Sequence, residues 1–182
     1  MTPRLLILDR DGVINEDSPD FVKSPQEWRP LPGSLRALGA ATQAGFRITI
    51  VSNQSGLARG LFKLEDLHRI HSRLVHEAEL HGGVIEAFFF CPHGPRENCA
   101  CRKPQPGLVR AAAARSGLGV SEAVMIGDRA SDIEAARAAG VRPILVLTGH
   151  GTETARSSPA MTELAVYSDL AHAVNALCVR AI

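Results

Sequence analysis

The chain has 182 residues, 45% of them hydrophobic and 21% charged, enough to bury one core of ordinary size. Its 20 Lys and Arg nearly match 19 Asp and Glu, for a net charge of +1, which excludes the strong positive field of a general nucleic-acid or anionic-membrane binder. Three of the four cysteines fall between positions 91 and 101, which excludes a spread disulfide framework.

The chain opens with one short apolar run, Leu5 to Leu8, before Asp9. That is too short for a secretory signal or a membrane span, so a soluble cytoplasmic protein is expected. Three more continuous apolar runs follow, Ile48–Val51, Ala123–Ile126 and Ile144–Leu147, with a fifth candidate at Ala87–Phe90. Continuous rather than alternating runs predict strands buried on both faces, as in a parallel sheet. Helices are predicted between them. One runs from Pro32-Gly33-Ser34 to about Ala44. A second covers 64–81, with Leu67, Ile70, Leu74, Val75 and Ala78 on one face. Others cover 107–116, 131–139 and roughly 169–180, several stopped by a glycine. His68, His71 and His76 on the second helix read as a solvated face, and Cys178 on the last reads as a small buried apolar residue.

Strands alternating with helices imply βαβ units and a doubly wound sheet, one domain over 1–182. Such sheets bind ligands beyond the carboxyl ends of their strands. The residues there are Asp9, Ser52, Cys91 and Gly127-Asp128. Asp9 and Asp11, two apart after a buried strand, would point the same way on an extended backbone. Paired carboxylates suit a divalent cation or a nucleophile beside a general acid/base. Alone, Asp9-x-Asp11-Gly12 reads equally as an Asp-rich turn. Further groups converge on the same sheet edge: Asp128 and Asp132 after the 123–126 strand, Ser52-Asn53-Gln54-Ser55 after the second strand, and Arg102-Lys103. Carboxylates, a hydroxyl and fixed cations together are the parts of phosphoryl transfer.

These four motifs, Asp9-x-Asp11-Gly12, Ser52, Lys103 and Gly127-Asp128-x-x-x-Asp132, resemble in order and spacing those of the haloacid dehalogenase superfamily phosphatases over about residues 4–150. The resemblance implies a three-layer α/β/α, mostly parallel, Rossmann-like sheet with a minimal cap. It implies that Asp9 is the nucleophile and forms an aspartyl-phosphate, and that Asp11 is the general acid/base, with a raised pKa once substrate is bound. It implies Mg²⁺ on Asp9, the Asp11 carbonyl and Asp128, and phosphoryl oxygens held by Ser52 and Lys103. Asp132 stays open between supporting the metal and capping the helix that starts near Ser131.

Cys91, His93, Cys99 and Cys101 offer a Cys₃His set for a closed, structural Zn²⁺ in a loop over 91–106. The competing readings are free thiols and a Cys99–Cys101 disulfide, which a reducing cytosol disfavours. A zinc-stapled loop would hold Arg102 and Lys103 rigidly at the mouth of the site.

Within the superfamily, this loop and the Ser52–Gly60 string resemble a group with minimal caps. Its members act on a heptose 1,7-bisphosphate, in lipopolysaccharide-core biosynthesis for the β-anomer, or on histidinol phosphate. Arg96, Arg102, Lys103, Arg110 and Arg115 against Glu97 favour the doubly charged sugar. Asp17, Ser52, Asn53, Gln54, Ser55, Arg102, Lys103 and Arg129 are the expected substrate contacts. The site is expected to be shaped by loops 12–30, 53–63 and 91–106; His150, after the 144–147 strand, could line it, with an ordinary loop histidine as the preferred reading. A monomer with a small-molecule substrate and no nucleic-acid or membrane partner is expected. A non-catalytic, zinc-stabilised phosphometabolite-binding module is the alternative of a different class.

Overall fold

The computed structural model describes residues 4–157 and 164–179. Six strands form one parallel sheet: β1 (Arg4–Leu8), β2 (Phe46–Asn53), β3 (Ile85–Cys91), β4 (Ala123–Gly127), β5 (Arg142–Val146) and β6 (Ala165–Tyr167). Their order across the sheet is β3-β2-β1-β4-β5-β6. All neighbours run parallel. The helices are α1 (Ser34–Gln43), α2 (Leu64–Glu79), α3 (Gly107–Ser116), α4 (Ala130–Ala139), α5 (Gly151–Ser157) and α6 (Leu170–Val179). The predicted end of the last helix at 180 lies outside the described residues.

Two apolar layers sandwich the sheet, as the continuous runs require. On one face Leu6, Leu8, Ile48, Ile50, Val124 and Ile126 pack against residues of α1, α2 and α6. On the other Leu5, Ile7, Val51 and Met125 pack against α3 and α4. Neighbouring residues of one strand thus enter opposite cores, which is why polar residues are nearly absent from these runs. The three-layer α/β/α architecture is the one the sequence implies.

The differences lie at the edges. β3 is only half-buried along most of its length because it has a neighbour on one side alone. β6 and α5 escape sequence reading because they are three and seven residues long, too short for periodicity to register. His71 does not lie on a solvated face. It is buried, stacked on Phe88 with ring centroids 4.1 Å apart, and burial, then the charge of Arg10, lowers its pKa to about 3. His68 and His76 are exposed as expected. Cys178 is partly rather than fully buried against the core.

The strand order reverses between β1 and β4. Chains diverging from such a point leave a crevice beyond the strand ends. Asp9 follows β1 there and Asp128 follows β4, its own N–H-side neighbour Gly127 ending the strand.

Gly39 shows how closely the layers approach. A Cβ added to it would lie 2.0 Å from the carbonyl oxygen of His81, just beyond α2. Backbone cannot yield as a side-chain tip can, so Gly39→Ala is expected to destabilise the protein by about 1–3 kcal/mol, read as a lower midpoint in urea unfolding.

Candidate active site

The site begins with a buried ammonium. Lys103 Nζ lies 2.8 Å from Asp9 Oδ1 and 2.7 Å from Asp132 Oδ1, and donates to the Val51 carbonyl at 2.9 Å. Burial of this amine would discharge it, but Asp132 and Asp9 prevail and raise its pKa. Asn53 fixes the lysine's backbone, accepting from its N–H and donating to its carbonyl, each at 3.0 Å. Burial pushes Asp9 well above the usual carboxylate range, with Asp132 and Asp128 adding to it and Lys103 opposing. Its Oδ1 also accepts the Arg10 N–H at 2.8 Å.

Of the two readings of Asp132, the helix cap is seen. Its Oδ2 accepts the N–H of Arg129, capping α4, while Oδ1 pairs with Lys103. Asp128 is fully buried. Its Oδ2 accepts the His150 N–H at 2.8 Å, and its Oδ1 has no hydrogen-bond partner. Burial, then Asp132, raises its pKa to about 6. Gly12 makes room for this carboxylate: its φ is +81°, and a Cβ there would meet Asp128 Oδ2 at 2.3 Å. The carboxylates of Asp9, Asp128 and Asp132 offer ligand atoms within 4.8 Å of one another. An oxygen-only donor set with an unpartnered buried oxygen fits a hard divalent cation.

Asp11 departs from expectation. β1 ends at Leu8, so strand alternation no longer aligns Asp11 with Asp9, and its side chain lies outside that cluster. It accepts from Arg10 Nε and Nη2, Asn15 Nδ2 and Gln54 Nε2. Burial would raise its pKa, but the Arg10 charge and these hydrogen bonds together lower it. These contacts favour the ionised carboxylate. Arg10 itself, almost fully buried, is a residue the sequence reading missed. Its signal was an arginine set between two aspartates just beyond the apolar run Leu5–Leu8, where it must find a carboxylate.

The cleft around these groups encloses about 870 Å³. Asp17, Asn53, Gln54, Ser55, Arg102, Lys103 and Arg129 line it, as expected. Ser52, also expected to contact substrate, is not among the lining residues; it is buried, and its Oγ has no hydrogen-bond partner. Two corrections concern the loops. The turn carrying Gly149 and His150 lines the cleft, so His150 is not an ordinary loop histidine. It arrives there because its N–H is needed by Asp128. The basic excess of 92–115 also does not gather at the site: only Arg102 and Lys103 reach it, and Arg110 donates to the Ala138 carbonyl at the far end of α4.

Beside the cleft, Cys91, His93, Cys99 and Cys101 converge. Their Sγ–Sγ separations are 3.3, 3.6 and 3.7 Å, and His93 Nδ1 lies 3.3 and 3.4 Å from Cys101 and Cys91. Ligands roughly 2.3 Å from a tetrahedral zinc stand about 3.8 Å apart, and the four come within about 0.5 Å of that spacing. All four cysteines are free, which removes the disulfide reading. Arg102 joins the two features: its N–H faces Cys99 Sγ at 3.4 Å, and Nη1 donates to the His93 carbonyl.

Residues 100–173 match the HAD-hydrolase-like family. The D-glycero-beta-D-manno-heptose-1,7-bisphosphate 7-phosphatase of Bordetella bronchiseptica is 47% identical over 92% of this chain and 94% of its own length. The Pseudomonas aeruginosa enzyme of the same name is 42% identical over 97% of this chain and 99% of its own. The crystal structure of the D,D-heptose 1,7-bisphosphate phosphatase from B. bronchiseptica, complexed with magnesium and phosphate, superposes with a TM-score of 0.94 at 45% identity, covering 97% of this chain and 99% of that one.

Asp128 sets a pH dependence. A folded-state pKa raised from 3.8 to about 6 means the folded state holds the proton more tightly than the unfolded one. That contribution to stability is complete below the unfolded pKa and is lost as pH rises through about 6. A divalent cation on the ionised carboxylates offsets the loss. Added Mg²⁺ is therefore expected to raise the thermal midpoint more at about pH 7.5 than at about pH 5, a difference that Asp128→Asn removes.

Proposed function

We propose a function from one premise: the chain belongs to the HAD-like hydrolases, in the family of the D-glycero-beta-D-manno-heptose-1,7-bisphosphate 7-phosphatases. It is a phosphoric monoester hydrolase that removes the 7-phosphate of D-glycero-β-D-manno-heptose 1,7-bisphosphate. The observation that carries this is 47% identity spread over 92% of the chain. Histidinol phosphate, with its ammonium, is the poorer fit to a cleft whose rim presents Arg102 and Arg129.

In this reading Asp9 attacks the phosphorus, forming a bond from carboxylate oxygen to phosphorus as the bond to the sugar O7 breaks. Two contacts already hold Asp9 Oδ1, from Lys103 and the Arg10 N–H, which fixes the carboxylate's orientation. Asp11 donates a proton to the leaving alkoxide and then takes one from the water that hydrolyses the aspartyl-phosphate. Its release from Arg10 accompanies substrate entry. Lys103 and the unpartnered Ser52 hydroxyl take phosphoryl oxygens. Ordered donors facing developing charge are the largest source of rate in such sites. Asp9, the Asp11 carbonyl and Asp128 would hold Mg²⁺, which when bound offsets the charge of the converging oxygens.

Cys91, His93, Cys99 and Cys101 would hold Zn²⁺ with no position left for substrate, a structural site. It keeps the 91–106 loop in place and with it Arg102 and Lys103. The chain works as one cytoplasmic domain, a monomer acting on a small phosphorylated sugar without nucleic-acid or membrane partners. Among the described residues, no helix is long and apolar enough to cross a membrane.

A kinetic panel tests the substrate. The β-anomer of the heptose bisphosphate is expected to give a higher kcat/KM than the α-anomer, and both a higher one than histidinol phosphate. A higher value for histidinol phosphate overturns the assignment. Asp9→Asn is expected to lower turnover by roughly 10⁴-fold or more. Cys99→Ser is expected to lose zinc, measured by atomic absorption on the purified protein, and to raise KM for the bisphosphate. Undiminished zinc in that variant removes Cys99 from the ligand set.

A further inference from the structure

The guanidinium of Arg10 is buried but only partly matched. Nε and Nη2 donate to Asp11, and Nη2 also reaches Gln54 Oε1 at 3.4 Å. Nη1 is buried with no acceptor among the described residues. An arginine nitrogen can only donate, and a buried donor without an acceptor is costly.

A complementary atom is buried on α2. His71 Nε2 also has no partner among the described residues. The ring is clamped: it stacks on Phe88 at an interplanar angle of 15°, with Phe90 tilted 6.2 Å away. Strand register shows where this clamp sits. Leu8 pairs with Ile50 and Ile50 with Phe88 across β1, β2 and β3, and all three belong to the apolar layer that α2 covers. Arg10 stands two residues beyond Leu8, and its contact with Gln54, which follows β2, draws the guanidinium towards the end of β2. Burial, then the charge of Arg10, keeps His71 neutral, and a neutral imidazole always retains one acceptor nitrogen.

We infer that His71 is a positioning residue for proton transfer: its Nε2 accepts the Nη1–H of Arg10 as the guanidinium turns from Asp11, which frees Asp11 to meet the leaving oxygen. The inference rests on the phosphatase reading above, in which Asp11 gives its proton to the sugar O7. A buried guanidinium that leaves its carboxylate needs another acceptor, and His71 offers one. Because the imidazole carries no charge, it does not outbid Asp11, and the ion pair re-forms after turnover. The stacked ring stays in place while the arginine moves. His71 does not line the cleft, so it acts through Arg10 and touches no substrate.

The test compares first-turnover rates of two esters, followed by rapid quench, in the wild type, His71→Phe, His71→Leu and His71→Gln. The heptose 1,7-bisphosphate releases an alkoxide that needs a proton. p-Nitrophenyl phosphate releases a phenolate that does not. The sugar ester is expected to slow about tenfold in the Phe and Leu variants, the effect of one hydrogen bond, while the aryl ester stays within about twofold. His71→Gln restores an acceptor and is expected to recover the sugar rate. Two variants without an acceptor keep the test open if one fails to fold, which its thermal midpoint reports. An equal fall on both esters, a fall on neither, or a Gln variant as slow as Phe overturns the inference and leaves the phosphatase reading standing. A wild type that hydrolyses neither ester overturns the reading itself and the inference with it.

Discussion

The buried ammonium of Lys103 is the constraint on which the site depends. Removed from water, it requires opposite charge within contact distance, and Asp9 and Asp132 both supply it. One comes from the end of β1 and the other from the first turn of α4. The lysine itself belongs to the cysteine-rich loop. A single ion cluster therefore binds three separate segments into one geometry. Substituting one member leaves the others buried and unpaired, which is why charge here acts as a positioning device before it acts in chemistry.

Sheet topology explains why these segments meet. The order β3-β2-β1-β4-β5-β6 puts β1 beside β4, though more than 110 residues separate them in sequence. Their carboxyl ends open a crevice, and Asp9 and Asp128 face each other across it. The neighbouring turns then close round Asp128. Gly12 and Gly149 come so near that neither could carry a side chain. The result is a dense set of carboxylates whose mutual repulsion, added to burial, raises Asp9 and Asp128. A divalent cation is the natural relief for such a set. The cysteine and histidine cluster stands in a different relation to the site. It touches no carboxylate of the cleft but fixes the loop, with Arg102 bonded to His93 and Cys99 and Gln54 N–H bonded to the Cys91 carbonyl.

Much of this was legible in the sequence for local reasons. Leu5–Leu8 and Ala123–Ile126 read as two-sided strands because both their faces are buried. Asp9, Asp128, Lys103 and the cluster of Cys91, His93, Cys99 and Cys101 could be singled out because each stands at a strand end or in a short dense motif, and the structure gathers the three cleft residues at one sheet edge and the other four in one loop. Three features were not legible. The alternation rule failed at Asp11 because the strand stops before it. His71 looked solvated because helical periodicity cannot tell that β3 presents Phe88 against it. His150 looked ordinary because the need for its N–H arises from Asp128, 22 positions away.

The sequence by itself determined the chemical inventory: a parallel α/β sheet, carboxylates and a lysine at its strand ends, and a closed Cys₃His set. Local patterns suffice for these because burial and metal-type spacing act over a few neighbouring residues. Only the tertiary structure decided the pairings. The Arg10 guanidinium holds the Asp11 carboxylate, Asn53 clamps the backbone of Lys103, and Asp17 bridges Arg129 and His150. Such pairings depend on through-space distance between segments far apart in the chain. Coulomb and hydrogen-bond energies follow that distance and not sequence separation.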